Sequence, residues 1–294
     1  MNVSILNFGS CCIDNVYSVP HFSEPGETLP CLNYEVHPGG KGLNQSIALA
    51  ASGADVHHAG KVGKDGRWLI ELLKSKNVMT DLVQIDDEPS GHANIQVTPT
   101  GENSIVLFGG ANQKIDEKGI DRALKARDYD FLLIQNEISS LDYLIKQAAD
   151  RGIKIAFNAA PMTSAVHHLP LDLIHLLIIN ELEGASLTQE DNPDKIIDTL
   201  LTRYPSTKVL LTLGEKGAWY ADSSGIKKQP AEQVNAVDTT GAGDTFTGYF
   251  VAEYAKERPV EEILKIACRA AALSVTRPGA ASSIPNREEI TSQT

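Results

Sequence analysis

Apolar runs of four to seven residues recur along this chain, and between them lie longer segments whose apolar residues return every three or four positions. That alternation marks repeated βαβ units, in which parallel strands are covered on both faces by crossover helices. Strands are expected at 3–8, 56–62, 131–135, 154–157, 176–179 and 208–213. Helices are expected at 42–52, 66–76, 141–151, 196–204, 241–256 and 260–275. The last places Val260, Ile263, Leu264, Ala267, Ala270, Ala271 and Ser274 on one face, which predicts tight packing. The expected fold class is therefore α/β, a doubly wound, mainly parallel sheet flanked by helices.

Two stretches break the rhythm. Residues 13–19 with 28–36, and 92–98 with 103–108, read as antiparallel strand pairs inserted into the α/β body; Thr100, Gly101 and Glu102 close the second as a hairpin. Such a small inserted β-sheet commonly serves as a lid or an oligomer contact. Without an internal repeat or a long linker, residues 1–294 are expected to form one domain, with lid strands at about 13–36 and 92–108.

Charge narrows the partners. Lys and Arg number 26 against 38 Asp and Glu, a net charge of -12, so no whole-molecule positive field recruits nucleic acid or anionic lipid. Any phosphate must be gripped locally. Apolar stretches such as 171–179 fall short of the roughly 20 residues that span a membrane and are broken by Asp172 and His175. The opening residues lack a basic segment followed by a long apolar run, so a cytoplasmic location is expected. Adjacent Cys11 and Cys12, with remote Cys31 and Cys268, fit neither a disulfide framework nor paired zinc-ligand spacing; reduced, mostly buried thiols are expected. The pairs His57-His58 and His167-His168 are expected on the surface or in loops, because neighbours in sequence do not share a face.

The strongest chemical signal is Asp238-Thr239-Thr240-Gly241-Ala242-Gly243-Asp244-Thr245-Phe246, just before a helix. Its glycines permit a tight turn, and the helix start aims unpaired N–H groups at an anion. A carboxylate beside a phosphate needs a reason, and accepting a proton from an attacking hydroxyl supplies one for Asp244. The same residues also read as a plain glycine-rich helix start with a favourable first-turn acid. No Walker A loop occurs, and Phe246 stands where a dinucleotide fingerprint needs its third glycine. A second signal, Pro38-Gly39-Gly40-Lys41-Gly42-Leu43-Asn44-Gln45, opens another helix and offers donors and an acceptor to sugar hydroxyls. Asp14 could accept a vicinal diol or simply hold a turn.

Together, Gly39-Gly40-Lys41-Gly42-x-Asn44, Gly60-x-Val62-Gly63-x-Asp65 and Asp238-Thr-x-Gly241-Ala242-Gly243-Asp244 resemble the ribokinase-like (PfkB) carbohydrate kinases. The resemblance continues through Pro25-Gly26-Glu27-Thr28, Gly110-Ala111-Asn112, Asn158-x-x-Pro161, Asn180-x-x-Glu183, Thr212-Leu213-Gly214-x-x-Gly217 and Thr276-Arg277-x-Gly279-Ala280. It implies ATP-dependent phosphorylation of a sugar primary hydroxyl, foremost D-ribose to ribose 5-phosphate, with Mg²⁺ and activation by K⁺. By the same resemblance, Asp244 matches the catalytic base, and Gly241, Ala242 and Gly243 the anion hole. Asp14, Gly40, Lys41, Asn44 and Glu137 match sugar contacts. Asn180, Thr212, Gly214, Gly217, Gly243 and Cys268 fall on the nucleotide side. Glu183 matches the Mg²⁺ motif, while Asp238, Thr240, Ser274, Arg277, Gly279 and Ser283 match the monovalent-cation site. A homodimer formed through the lid is implied as well.

The chain departs from the family at Cys12, where asparagine is usual two positions before the sugar-binding Asp, and at Cys268, where a polar residue often sits beside adenine. A thiol is a weak donor and acceptor, so Cys12 leaves another sugar or a nucleoside as an alternative substrate. A non-catalytic sugar or nucleotide sensor is the alternative from a different functional class.

Overall fold

The computed structural model describes residues 3–291. The main sheet is built from β1 (Ser4–Phe8), β4 (Asp55–Gly63), β5 (Met79–Asp86), β8 (Phe131–Gln135), β9 (Lys154–Asn158), β10 (Leu176–Asn180), β11 (Lys208–Thr212), β12 (Ala218–Asp222) and β13 (Gly225–Gln229). Its order is β13-β12-β11-β10-β9-β8-β1-β4-β5, parallel except where β12 and β13 turn back as an edge hairpin. The lid comprises β2 (Cys12–Ser18), β3 (Asn33–Gly39), β6 (Gly91–Val97) and β7 (Asn103–Phe108), in the order β3-β2-β6-β7.

The helices are α1 (Lys41–Ala51), α2 (Arg67–Ser75), α3 (Glu117–Lys125), α4 (Leu141–Asp150), α5 (Glu181–Thr188), α6 (Pro193–Arg203), α7 (Ala242–Tyr254), α8 (Val260–Ser274) and α9 (Arg287–Thr291). They cover both faces of the main sheet. Successive residues of β1 show how: Ile5 enters a core with residues of α1, α7 and α8, whereas Leu6 and Phe8 enter a second core with residues of α3 and α4. A strand clad on both sides has no wet face, so every residue of β1 is buried. Helix α7 lies so close to α1 that a side chain at Gly248 would collide with Ala48 and come within 2.9 Å of the Gln45 carbonyl. This contact locks α7, and with it Asp244, against α1.

The two lid hairpins, β2–β3 and β6–β7, are antiparallel as expected, but they join through a parallel β2–β6 pair. Both inner strands leave the body side by side, Cys12 opposite Gly91, so they must run the same way. The strand expected at 28–36 occupies Asn33–Gly39 instead. A turn in which Glu27 N–H donates to the Glu24 carbonyl delays it, and Pro30 lacks the N–H a ladder needs.

The expectation for His57 and His58 is overturned. Both lie in β4, 6% and 0% exposed, because this strand too is covered on both faces and period-two alternation no longer selects a wet side. His58 shares hydrogen bonds with Ser46 Oγ (2.8 Å) and Cys11 Sγ (3.3 Å), and burial pushes it down to about 4, so it is neutral. His167 and His168 are exposed, as expected. All four cysteines are unpaired, and only Cys31 is exposed. Among the described residues no helix is long and apolar enough to cross a membrane.

Candidate active site

Every element of the site sits at the carboxyl ends of the parallel strands, where open α/β sheets bind their ligands. Chain direction reverses its winding between β1 and β8. Ser10 follows β1 and Glu137 follows β8, and across that crevice the Ser10 hydroxyl donates to the Glu137 carboxylate. The Lys41 backbone N–H donates to the same carboxylate oxygen at 2.9 Å, tying the start of α1 to the crevice. Gly40 caps that helix with φ 94, and a side chain there would press within 3.0 Å of Cys12 N and Ser10 O. A side chain at Gly39 would overlap the Asp14 carboxylate, so Gly39 makes room for Asp14 at the lid base.

The charges gathered here perturb one another. Burial, reinforced by Glu137 and opposed by His37, raises the Asp14 carboxyl to about 6. Burial also raises Glu137, although Lys41 and the Ser10 hydrogen bond oppose it. The Asp244 charge pushes Lys41 up against the effect of burial, with Glu137 and Glu183 adding to the push. If Asp14 binds a vicinal diol, as the family resemblance implies, it must be ionised to accept two hydroxyl protons. We therefore expect the KM for the acceptor to rise as pH falls through about 6, while the KM for ATP stays flat, in steady-state profiles between pH 5 and 8. An acceptor KM that does not change across that range would remove Asp14 from the binding face.

Asp244 occupies the first turn of α7 and is 7% exposed. Its Oδ2 accepts from Asn44 Nδ2 at 3.0 Å and its Oδ1 from Gln45 Nε2 at 2.9 Å. Asn44 is 5% exposed, and its own Oδ1 is buried with no hydrogen-bond partner. Such an orphan acceptor is costly unless a ligand hydroxyl completes it. Gly241 precedes the helix with φ 74, and a side chain there would meet Ala280 at 2.8 Å. Gly243 faces open space, leaving the first-turn N–H groups approachable by an anion.

On the other side of Gly243 lies a cavity of about 440 Å³ bordered by Thr212, Gly214, Gly217, Ala242, Gly243 and Cys268, among others. Gly217 has φ 101, and a side chain there would strike the backbone around Ala231. Cys268 is buried, and burial pushes its thiol up to about 12. Asn180 stands beside Thr212 in the β10–β11 register but does not border the cavity.

A model of the pfkB family of carbohydrate kinases matches residues 3–287. The chain belongs to this family. It is 35% identical to the ribokinase of Haemophilus influenzae, over 98% of this chain and 97% of that protein. Its fold superposes with a TM-score of 0.90 on a Cryptococcus neoformans ribokinase solved with ADP (32% identity, 99% of this chain and 100% of that one). The Arabidopsis thaliana ribokinase solved with ribose and ATP gives 0.89 (29% identity, 99% and 98%). This pfkB-family chain thus has a ribokinase fold, and the sequence expectation of a doubly wound α/β body with a small β lid holds.

The residues matched to cation sites fall into two groups. Asn180 and Glu183 form a capping box on α5: Glu183 N–H donates to Asn180 Oδ1 at 2.9 Å and Asn180 N–H to Glu183 Oε2 at 2.8 Å. Glu183 is 5% exposed, and burial raises it. Asp238 Oδ1 accepts from Thr240 N–H (2.9 Å) and Oδ2 from Gly279 N–H (2.8 Å), drawing the turn before α7 against the loop after α8. Ser274 and Ser283 are buried, their hydroxyls turned to local carbonyls. Arg277 pairs its guanidinium with Glu289; being a cation with no acceptor, that group cannot ligate another cation, so any contribution from Arg277 comes from its backbone carbonyl. Two residues without a role in the sequence-level expectations belong to the site: Ser10, which holds Glu137, and Gln45, which holds Asp244. For Gln45 the available signal was an amide placed beside Asn44 in a helix start.

Proposed function

We propose that this chain transfers the γ-phosphoryl group of ATP to the primary hydroxyl of D-ribose, giving ribose 5-phosphate and ADP. The observation that carries this reading is the position of Asp244. It is hydrogen-bonded to Asn44 of the helix that begins at Gly40 and Lys41, and it adjoins Gly243 at the edge of the second cavity. The Arabidopsis relative solved with ribose and ATP supports a sugar and a nucleotide as the two ligands. Asp14, Gly40, Lys41, Asn44 and Glu137 hold the sugar, and Asn44 Oδ1 gains its missing partner. Thr212, Gly214, Gly217, Gly243 and Cys268 border the nucleotide, with Asn180 at its flank.

Asp244 accepts the hydroxyl proton as the sugar oxygen bonds to the γ-phosphorus; the bond to the bridging oxygen breaks and ADP leaves with the electron pair. Backbone N–H groups around Gly241, Ala242 and Gly243 stabilise the charge that develops, as an anion hole. Mg²⁺, when bound, neutralises phosphate charge. Among the described residues no cluster of three His, Cys, Asp or Glu side chains is placed to hold a metal. By the family resemblance, Glu183 and Asn180 would hold Mg²⁺ through water, which suits an ion that dehydrates reluctantly. The Asp238, Thr240, Ser274, Arg277, Gly279 and Ser283 set presents oxygen donors, which suit K⁺. A cytoplasmic location, with its supply of ATP, fits this activity.

The deciding experiment is a coupled assay of ADP release with Mg²⁺ and a panel of D-ribose, 2-deoxy-D-ribose, hexoses and nucleosides, each with and without K⁺. Potassium-stimulated turnover with D-ribose at low concentration is expected. Turnover only with another acceptor would move the assignment to that sugar or nucleoside, the reading that Cys12 favours: its thiol is buried, with Asn112 at 3.4 Å as its side-chain partner. Silence throughout would leave the sensor reading.

The outer lid strands expose Tyr34, Val36, Val106 and Phe108, which the strand register places on one face of the lid, Val106 being 68% exposed. This apolar face supports a homodimer through the lid. Light scattering should give twice the 31.7 kDa chain mass, and Val106→Lys should return the monomer.

A further inference from the structure

Gln45 is fully buried beneath Asp244. Its Nε2 donates to Asp244 Oδ1 (2.9 Å) and to Asn158 Oδ1 (3.0 Å), and its Oε1 accepts from Gln135 Nε2 at 2.7 Å. Gln135 Nε2 also donates to Asn7 Oδ1 at 2.9 Å, and Asn7 Nδ2 donates to the Gly42 carbonyl and to Ser46 Oγ, both at 2.7 Å. The two ends of an amide have nearly the same shape, so partners decide which way it points.

In this relay both ends are fixed. The Gly42 carbonyl can only accept, so Asn7 turns its NH₂ toward it and offers its oxygen to Gln135. Gln135 answers with its NH₂, which also reaches the oxygen of Gln45. Gln45 is left with its NH₂ facing Asp244 and Asn158. Asn158 is set the same way, its Nδ2 donating to the Ile178 carbonyl at 3.3 Å. Flipping any one amide would set donor against donor or oxygen against oxygen in a buried space, where an unmade hydrogen bond is expensive.

We propose that Gln45, oriented by Gln135 and Asn7, is a positioning residue for Asp244: it engages Oδ1 permanently and leaves Oδ2, beside Asn44, as the oxygen that takes the substrate proton. The proposal rests on the reading of Asp244 as general base. The charged groups that face Asp244 are Lys41 on α1 and Glu137 after β8, with Glu183 of α5 beyond Lys41. None is altered by a change at Gln45.

Two variants test it. Gln45→Met keeps length but removes the donor; Gln135→Met touches no atom of Asp244 and removes the donor that orients Gln45, together with the one it gives to Asn7 Oδ1. A hydrogen bond to a charged group is worth enough that Gln45→Met should lower kcat by about 10- to 100-fold, and Gln135→Met by about 3- to 10-fold. The KM for ATP should stay within about threefold in both, since neither residue borders the nucleotide cavity. The low-pH limb of kcat should move upward in both, because a carboxylate that loses a donor is more easily protonated. Circular dichroism and melting temperature show that each variant is folded; if Gln45→Met is not, Gln135→Met still decides. Unchanged kcat in the folded variants, or a loss of kcat with the pH limb in place, would overturn the positioning role and leave Asp244 untouched. Retention of phosphoryl transfer by Asp244→Asn would instead remove the base on which the proposal stands.

Discussion

Asp244→Asn should lower kcat by about 10²- to 10⁴-fold, the span that a positioned general base commonly contributes. The substitution keeps the shape of the side chain, and its surroundings are prepared to receive it. The new amide would keep its oxygen on Gln45, which cannot turn, and point its NH₂ toward Asn44. Asn44 Oδ1 has no partner, so that side chain can flip and accept. Folding is therefore preserved, while the proton acceptor is gone and Lys41 loses the charge that raises it most. Single-turnover transfer from ATP to the acceptor found in the panel assay isolates the chemical step. The KM for ATP should change by no more than about threefold, because the cavity around Gly214, Gly217 and Cys268 is unaltered. A variant that kept kcat within about tenfold of the parent would eliminate Asp244 as general base, whatever the anion turn still contributes.

Much of this site could be read from local pattern. The strands 131–135 and 208–213 and the long helices 241–256 and 260–275 appear within a residue or two of their expected bounds, because their apolar periodicity is strong and uninterrupted. The glycine turn before α7 was legible for a steric reason: Gly241 needs positive φ and clearance from Ala280. Features decided by distant partners were not legible. Strands β5, β12 and β13 lie toward the sheet edges with mixed burial, and their short runs carry little period of their own. Helix α3 is short and polar, with Ile120, Ala123 and Leu124 as its inward seam. His57 and His58 are buried because helices cover both faces of β4, a fact about the whole topology and not about the pair. Gln45 gains its meaning only when α1 meets α7, 199 residues away in sequence at Asp244. The spacing of Asn180 and Glu183 is read correctly as a helix start, and in the fold the two side chains close the capping box of α5.

Glu253→Gln tests the far end of the same helix that carries Asp244. Glu253 is 0% exposed, yet its Oε1 accepts from Ser52 Oγ at 3.0 Å, from Lys256 Nζ at 2.8 Å and from Arg287. Arg258 Nε lies 3.0 Å from Oε2 but off the hydrogen-bond direction, so it contributes charge alone. Burial by itself would raise this carboxyl; the hydrogen bonds and charges of Arg287 and Lys256 outweigh it and hold the group down to about 2. An ordinary glutamate titrates at 4.5, so ionised Glu253 favours the folded chain at every pH above that value, and the benefit fades as pH falls from 4.5 toward about 2. A separation of that size corresponds to about 3 kcal/mol. Glutamine fills the same volume without the charge, while Arg287, Lys256 and Arg258 retain partial access to water, so the expected loss at pH 7 is about 2–4 kcal/mol. Urea unfolding at pH 7 should show it as a lower midpoint with an unchanged slope. The gap between parent and variant should then narrow as both are taken from pH 4.5 toward 2. Nine residues separate Glu253 from Asp244, about 13 Å of helix, so kcat of the folded variant should equal that of the parent. A loss of stability that stayed constant down to pH 2 would assign the effect to packing and not to the buried charge.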